Sequence, residues 1–136
     1  MIAALISVVS LAALLQFFVS YCRSVIAASS REELSEQVRE VTGIASQAVA
    51  GDEFQRLLQL ARLCPERGDD RTEIRAVGAY YRLLNLMRAA FRSLAPGLVS
   101  WAELERQHCS YFAAVALDRR IAHSRDLLAQ QMADRV

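Results

Sequence analysis

His108 and Cys109 are the side chains best suited to metal binding or nucleophilic catalysis, and they are neighbours in the chain. A zinc site needs three or four such ligands, and the other cysteines, Cys22 and Cys64, show no paired spacing with them. Adjacent residues of a helix point about 100° apart, so this pair is poorly placed to chelate an ion or act as base and nucleophile. The sequence therefore predicts no metal site, and His108 is predicted to be a hydrogen-bonded core histidine.

Two tyrosines, Tyr80 and Tyr111, give His108 a second interpretation. The three side chains could line a cleft, which would make the protein a membrane-tethered enzyme or a small-ligand binder. Paired acids, however, fall at predicted helix starts, where carboxylates stabilise the helix dipole, and the sequence has no phosphate-binding loop or nucleophile motif. We therefore predict no catalytic residue and no cofactor, and keep the cleft near His108 as the alternative.

Arginine supplies all 16 basic residues, which nearly balance 15 acidic residues to give a net charge of +1. This balance does not favour nucleic acid, and exposed aromatic residues do not alternate with the arginines, so no nucleic-acid partner is predicted. One predicted helix carries a row of arginines: Arg75, Arg82, Arg88 and Arg92. The sequence leaves three partners open for this row: a glutamate-rich helix of the same bundle, an anionic lipid surface or an acidic protein partner.

The chain begins with 22 residues that carry no charged side chain. Eleven of the 21 residues from Ile2 to Cys22 are leucine, isoleucine, valine or phenylalanine. As a helix this segment is about 31 Å long, which matches a hydrocarbon core of about 30 Å. Its apolar run exceeds the roughly 7–15 residues of a signal-peptide core, and no basic residue precedes it. We predict a single transmembrane helix, with residues 1–24 as the anchor.

Arginines follow this segment at Arg23, Arg31 and Arg39, and none precedes it. The positive-inside rule therefore places residues 25–136 in the cytoplasm, as the soluble domain of a single-pass membrane protein. Two alternatives remain for the segment. Cleavage near the stretch VIAASS would make the chain a secreted helical protein with an atypical signal sequence, and burial in a soluble core would make the segment an ordinary core helix.

Two helix faces have the composition of helix–helix contacts. Within the anchor, small and weakly polar residues share one side, as in close helix packing in lipid: Ser10, Ala13, Gln16 and Ser20. Beyond the anchor, apolar residues repeat at spacings of four, three and four, as in a coiled-coil seam: Leu34, Val38, Val41 and Ala45. Two heptads are too few to decide whether the seam forms a homodimer or packs within its own domain.

The rest of the chain is predicted to be helical. No segment alternates with a period of two over the length of a strand, and the chain has only 5 glycines and 2 prolines. Apolar stripes of helical period cover residues 54–61 and 77–94. Capping boxes predict three helix starts: Ser30, Asp70 and Ser100. The fold class is therefore all-α, with the transmembrane helix followed by a small antiparallel bundle of about four helices.

The last helix is predicted to bury one apolar face. Its members are Trp101, Leu104, His108, Tyr111, Phe112 and Val115. After Leu117 the stripe rotates, and Arg119 falls on the side that was apolar before. A bend or a change of packing partner would explain the rotation.

Together these patterns predict a membrane-anchored helical protein that works by interaction. It would be an accessory or scaffold subunit of a membrane complex. Its expected partners are the lipid bilayer and either another membrane protein or a second copy of the chain.

Overall fold

The computed structural model describes residues 1–31 and 53–135 of the chain. Within these residues the secondary structure is helical, without strands. The four helices are α1 (Ile2–Ser29), α2 (Phe54–Leu63), α3 (Asp70–Phe91) and α4 (Pro96–Ala133). The prediction of an all-α fold, with an N-terminal apolar helix joined to a small bundle, is therefore confirmed.

Helix α1 has two parts with different surroundings. All of its residues up to Phe17 are exposed, whereas Cys22, Ile26 and Ser29 are buried in the bundle. The helix continues without a break through the predicted anchor boundary and ends at Ser29. Ser30 is the C-cap residue of α1, and its hydroxyl donates a hydrogen bond to the Ala27 carbonyl. One helix therefore supplies both the exposed apolar segment and part of the core.

Helix α2 is short and amphipathic. Phe54, Leu57 and Ala61 are buried on one side, as their spacing predicts. The helix ends at Leu63, and the following residue adopts an extended conformation with φ −88° and ψ 151°. That conformation is the one favoured immediately before a proline, here Pro65, so the ring sterically ends the helix.

Helix α3 follows its predicted stripe only in its first two thirds. Val77, Tyr80 and Leu84 are fully buried. Towards the end of the stripe, Phe91 is 40% exposed and Leu94, in the turn after the helix, is 77% exposed. The predicted apolar stripe therefore extends further than the buried face, because none of the described helices covers the end of α3 and the turn that follows it.

Helix α4 begins at Pro96, four residues before the predicted start at Ser100. Proline suits the first turn of a helix because the missing N–H has no intrahelical acceptor there. Ser100 lies inside the helix, where its hydroxyl donates to the Gly97 carbonyl. The helix is continuous past the predicted rotation, and Arg120 is buried and donates to the Ala61 carbonyl of α2. A change of packing partner therefore accounts for the rotated pattern.

The buried face of α4 differs from the predicted one. Leu104 is 57% exposed and His108 is also exposed, while Glu105 and Arg106 are buried. The prediction of a core histidine at position 108 is wrong. The physical reason is that Glu105 and Arg106 find charged and hydrogen-bonding partners on neighbouring helices, which offset the cost of burying them.

Helices α3 and α4 form an antiparallel hairpin. Near the connecting turn, Arg88 of α3 contacts Glu103 of α4, and near the start of α3, Asp70 contacts Arg120. We call the end that carries the turn at residues 92–95 the hairpin end, and the opposite end the Asp70 end.

Contacts with α3 fix the direction of α1. The ring of Phe18 packs edge-on against Tyr80, with 6.5 Å between the ring centroids. One turn later in α1, the Cys22 thiol lies 3.7 Å from the carbonyl oxygen of Ala76, one turn earlier in α3. Helix α1 is therefore antiparallel to α3, and its exposed apolar half extends towards the hairpin end.

We expect the replacement Phe54→Ala to destabilise the bundle by about 3–5 kcal/mol, because it empties a core position. The Phe54 ring is 1% exposed and stacks on Tyr81 at a centroid distance of 4.2 Å, which fastens α2 to the hairpin. Denaturant unfolding in mild detergent measures the loss. The matched control on the same helix is Leu60→Ala, at a position 40% exposed, which should change stability by less than about 1 kcal/mol. Equal losses for the two variants would contradict this role of Phe54.

Candidate functional site

A buried carboxylate lies where α1 meets the hairpin. Glu105 is 5% exposed, and its Oε1 atom is 3.3 Å from Nε of Arg23. The hydroxyl of Tyr80 donates a hydrogen bond to its other oxygen, Oε2, at 3.1 Å. We call these three residues the anchor junction. It joins α1, α3 and α4 at the level where α1 passes from its exposed half into the bundle.

The anchor junction is buried on the side of Glu105 and Tyr80, whereas the Arg23 side chain is 59% exposed. Cys22 and Cys109 are both fully buried beside it. Burial raises the pKa of Tyr80 well above its usual range, and the nearby negative charge and hydrogen bond of Glu105 raise it further. Burial likewise raises the pKa of the Cys109 thiol. Both groups therefore stay protonated near neutral pH, which suits positioning and packing rather than nucleophilic chemistry.

A second polar cluster connects α3 to α4 beside the anchor junction. Arg106, 3% exposed, donates to the hydroxyl of Tyr81 at 3.0 Å and to Glu103 at 2.8 Å. Its guanidinium carbon also lies 5.2 Å from the centroid of the Tyr81 ring, a cation–π distance. Arg88 donates to the same Glu103 oxygen at 2.9 Å. Glu103 thus receives two guanidinium groups from two helices.

The arginine row of α3 is divided by these contacts. Arg88 is committed to the ion pair with Glu103 inside the hairpin, while Arg75, Arg82 and Arg92 are exposed. The intramolecular interpretation of the row thus holds for Arg88, although its partner is a residue of α4. The glutamate-rich segment considered as the partner, within residues 32–40, lies outside the described residues.

Two cavities contain parts of this row. One, of about 190 Å³ at the Asp70 end, is bordered by four arginines and one acid: Arg62, Arg71, Arg75, Arg120 and Glu66. The other, an open groove of about 550 Å³ at the hairpin end, is bordered by Arg88, Arg92 and Glu103 together with small residues of α4. The excess of arginine makes both cavities more suitable for anions than for cations.

The residues first considered for chemistry are not brought together. His108 is exposed, Cys109 is fully buried and Cys64 is half-buried, and all three cysteines are free. Neither cavity described above is bordered by His108, and the Tyr80 hydroxyl is engaged with Glu105. Among residues 1–31 and 53–135, no group of three or more histidine, cysteine, aspartate or glutamate side chains is placed to hold a metal ion. The two cavities described above are therefore not the cleft that the alternative function expects near His108.

The two predicted helix faces have different outcomes. The anchor face is exposed along α1: Ser10, Ala13, Gln16 and Ser20. At 100° per residue it lies on the side of α1 opposite to Phe18, Cys22 and Ile26, which pack on the bundle. The seam lies outside the described residues and stays a prediction: Leu34, Val38, Val41 and Ala45.

Sequence reasoning missed the anchor junction because it assigned Glu103 and Glu105 to the start of a helix. With α4 beginning at Pro96, both lie well inside it. A signal was present, since Glu105 is spaced at three, four and seven residues from buried small and aromatic residues: Ala102, Cys109 and Phe112. An acid at such a position indicates a buried charge with a partner.

Comparison of the chain with protein-family models, curated proteins and solved structures gives no match. The function must therefore be argued from the anchor junction, the exposed half of α1 and the surface of the hairpin.

The raised pKa values of Tyr80 and Cys109 predict a loss of stability at alkaline pH. Both acids stay protonated in the folded chain but ionise in the unfolded chain, so at high pH the unfolded state binds fewer protons. Stability is full below about pH 8 and falls above it, by up to about 1.4 kcal/mol per pH unit for each group. Denaturation midpoints measured in detergent from pH 7 to about pH 11 test this.

The variant Tyr80→Phe should be less stable at neutral pH but should lose stability less steeply above about pH 10, because the titrating phenol is gone. The control is Tyr21→Phe, at an exposed position of α1. An unchanged alkaline slope in Tyr80→Phe would contradict the buried position of the Tyr80 hydroxyl.

Proposed function

We propose that the protein is a single-pass membrane protein whose cytoplasmic helical bundle acts by interaction, as an accessory or scaffold subunit of a membrane complex. The observation that carries this proposal is the division of α1. Its N-terminal half exposes an almost purely apolar surface, and its C-terminal part is built into the bundle core. A contiguous exposed apolar surface of this kind marks a membrane or a partner.

The length of α1 supports the membrane as its surroundings. Within the described residues, α1 is the one helix long and apolar enough to cross a bilayer, and its most apolar stretch is unburied. The 20 residues from Ile2 to Tyr21 extend about 30 Å, the thickness of a hydrocarbon core. Tyr21 and Arg23 then fall at the interface, where aromatic and basic residues are enriched.

The core contacts of α1 support retention of the segment over its removal as a signal sequence. Cleavage near residues 25–30 would separate Cys22 and Phe18 from the bundle, and Arg23 from Glu105. The part of the bundle that α1 covers, including Tyr80 and Glu105, would then lose these contacts, which would cost stability. The placement of the bundle in the cytoplasm rests on the arginines that follow the apolar segment, which include Arg23 and Arg31.

The exposed face of α1 supports interaction as the mode of action. The face defined by Ser10, Ala13, Gln16 and Ser20 points away from the bundle, so the chain's own described helices do not cover it. In lipid, small residues permit close backbone approach, and the amide of Gln16 gains from a hydrogen-bonding partner. The expected occupant is a transmembrane helix of another protein or of a second copy.

Membrane anchoring is tested by fractionation of cells that express the chain with a C-terminal tag. The intact chain, identified by the mass of a peptide that covers α1, should stay in the membrane pellet after alkaline carbonate. The double variant Leu11→Arg with Leu14→Arg should lose carbonate resistance, because each arginine costs about 2.5–3.5 kcal/mol in the membrane centre. The matched control is Leu127→Arg with Leu128→Arg, at exposed positions of α4. Intact chain in the soluble fraction, or mature chain that lacks α1, would refute the anchor.

Interaction through α1 is tested by photocrosslinking in membranes. A photoreactive amino acid at Ala13, on the small-residue face, should crosslink to a discrete protein or to a second copy of the chain. The control is the same amino acid at Leu11, which is exposed on the opposite side of α1 and should react mainly with lipid. Equal crosslinking from the two positions, or lipid adducts only, would contradict a dedicated packing face.

A further inference from the structure

We propose that the smaller of the two arginine-lined cavities, at the Asp70 end, binds the phosphate group of a phosphomonoester or inorganic phosphate itself. We call it the arginine cavity. Its volume is about 190 Å³, and its border contains Arg62 from α2, Arg71 and Arg75 from α3, and Arg120 from α4. This site goes beyond the proposed function and does not depend on whether α1 lies in a membrane.

Three of these arginines carry charge that the described part of the chain does not neutralise. Arg62, Arg71 and Arg75 are exposed, and within residues 1–31 and 53–135 none of them has an ion pair or a hydrogen bond through its side chain. Arg71 and Arg75 are four residues apart on one face of α3, a spacing at which like charges repel. An anion bound between them would relieve that repulsion.

Arg120 gives the arginine cavity a fixed wall. It is 3% exposed and donates a hydrogen bond of 2.7 Å to the Ala61 carbonyl, which ties α4 to α2 beside Arg62. Its Nε atom is 4.0 Å from Oδ2 of Asp70, beyond hydrogen-bonding distance, and has no other acceptor among the described residues. A buried cation that is only partly compensated favours a further anionic group nearby.

The balance of charge around the arginine cavity fits a dianion. Four arginines border it against one acid, Glu66, and Asp70 lies beside Arg120, so two positive charges remain in excess. A phosphomonoester carries a charge of about −1.5 to −2 near pH 7 and presents three acceptor oxygens. Guanidinium groups that approach from different helices can then bind different oxygens. A carboxylate has one charge and two oxygens, so it should bind more weakly.

The size of the arginine cavity limits the ligand to a small group. Clefts for drug-sized molecules measure about 300–1,000 Å³, so 190 Å³ suits a phosphate group rather than the body of a large ligand. Half-buried Leu58 and Ile74 also border it, and apolar neighbours that exclude water strengthen charge interactions. The groove at the hairpin end is less suitable, because Arg88 there is already paired with Glu103.

The test is titration calorimetry of inorganic phosphate into the full chain, in a detergent without phosphate groups and at constant ionic strength. The test variant is Arg71→Gln with Arg75→Gln. Its matched control is Arg82→Gln with Arg92→Gln, two exposed arginines that do not border the arginine cavity. A third variant, Glu66→Gln, removes the one acid on its border. All five positions are exposed, so the variants should keep the fold, which circular dichroism checks.

We expect saturable phosphate binding that is weakened about tenfold or more in the test variant and is unchanged in the control. Glu66→Gln should bind phosphate several-fold more tightly, because the acid no longer repels the anion, and acetate should bind several-fold more weakly than phosphate. Absence of phosphate binding, or equal losses in the two arginine pairs, would overturn the site. Glutamates of residues 32–40 that filled the cavity would also prevent phosphate binding, and so would refute it.

A second measurement separates two sources of such a phosphate group, a soluble molecule and the headgroup of phosphatidic acid. The full chain is titrated with phosphate in phosphatidylcholine vesicles that contain either phosphatidic acid or, at equal surface charge, phosphatidylglycerol. The second lipid controls for repulsion of phosphate by an anionic surface. Weaker phosphate binding with phosphatidic acid alone would assign the lipid headgroup to the site, and equal binding in the two kinds of vesicle would assign a soluble ligand.

Discussion

The structure depends on the pairing of one buried carboxylate with a cation and a hydrogen-bond donor. Glu105 lies in an apolar environment beside two fully buried cysteines, and such a group is tolerated only with charged or hydrogen-bonding partners. Its partners come from two other helices, Arg23 from α1 and Tyr80 from α3. Because the anchor junction needs all three helices at once, it sets the level at which α1 meets the hairpin. Phe18 and Cys22 then take up the register that makes α1 antiparallel to α3.

The elements that follow from apolar spacing alone were predictable from the sequence. The apolar helix α1 follows from an uninterrupted apolar run, and the buried side of α2 and the first two thirds of α3 follow a simple helical period. Helix α4 does not, because its buried face combines small residues with Glu105 and Arg106. An apolar stripe therefore selects the wrong side of α4, and places Leu104 and His108 in the core when both are exposed. Its start was also misassigned, because a capping pattern at Ser100 competed with a proline four residues earlier.

The candidate site was predictable only in part, for a related reason. The sequence reveals the arginine row of α3 but not which of its members are paired, since pairing depends on residues that are distant in the chain. Arg88 reaches Glu103 across the hairpin, whereas Arg82 and Arg92 stay exposed. The anchor junction is likewise formed by residues about 25 and 80 positions apart. No local pattern specifies that meeting, although the spacing of Glu105 among small buried residues indicates that a partner is needed.

The continuity of α1 has a mechanical consequence. From Ile2 to Ser29 it contains neither glycine nor proline, the residues at which helices usually kink. The segment proposed to lie in lipid and the segment packed on the bundle are thus parts of one continuous helix, without a hinge between them. Helices adapt to a thicker or thinner bilayer by changing their tilt. In the proposed anchored arrangement, any such change of tilt would rotate the whole bundle together with α1, so that membrane thickness or a neighbouring protein in the bilayer would reorient the surface of the bundle.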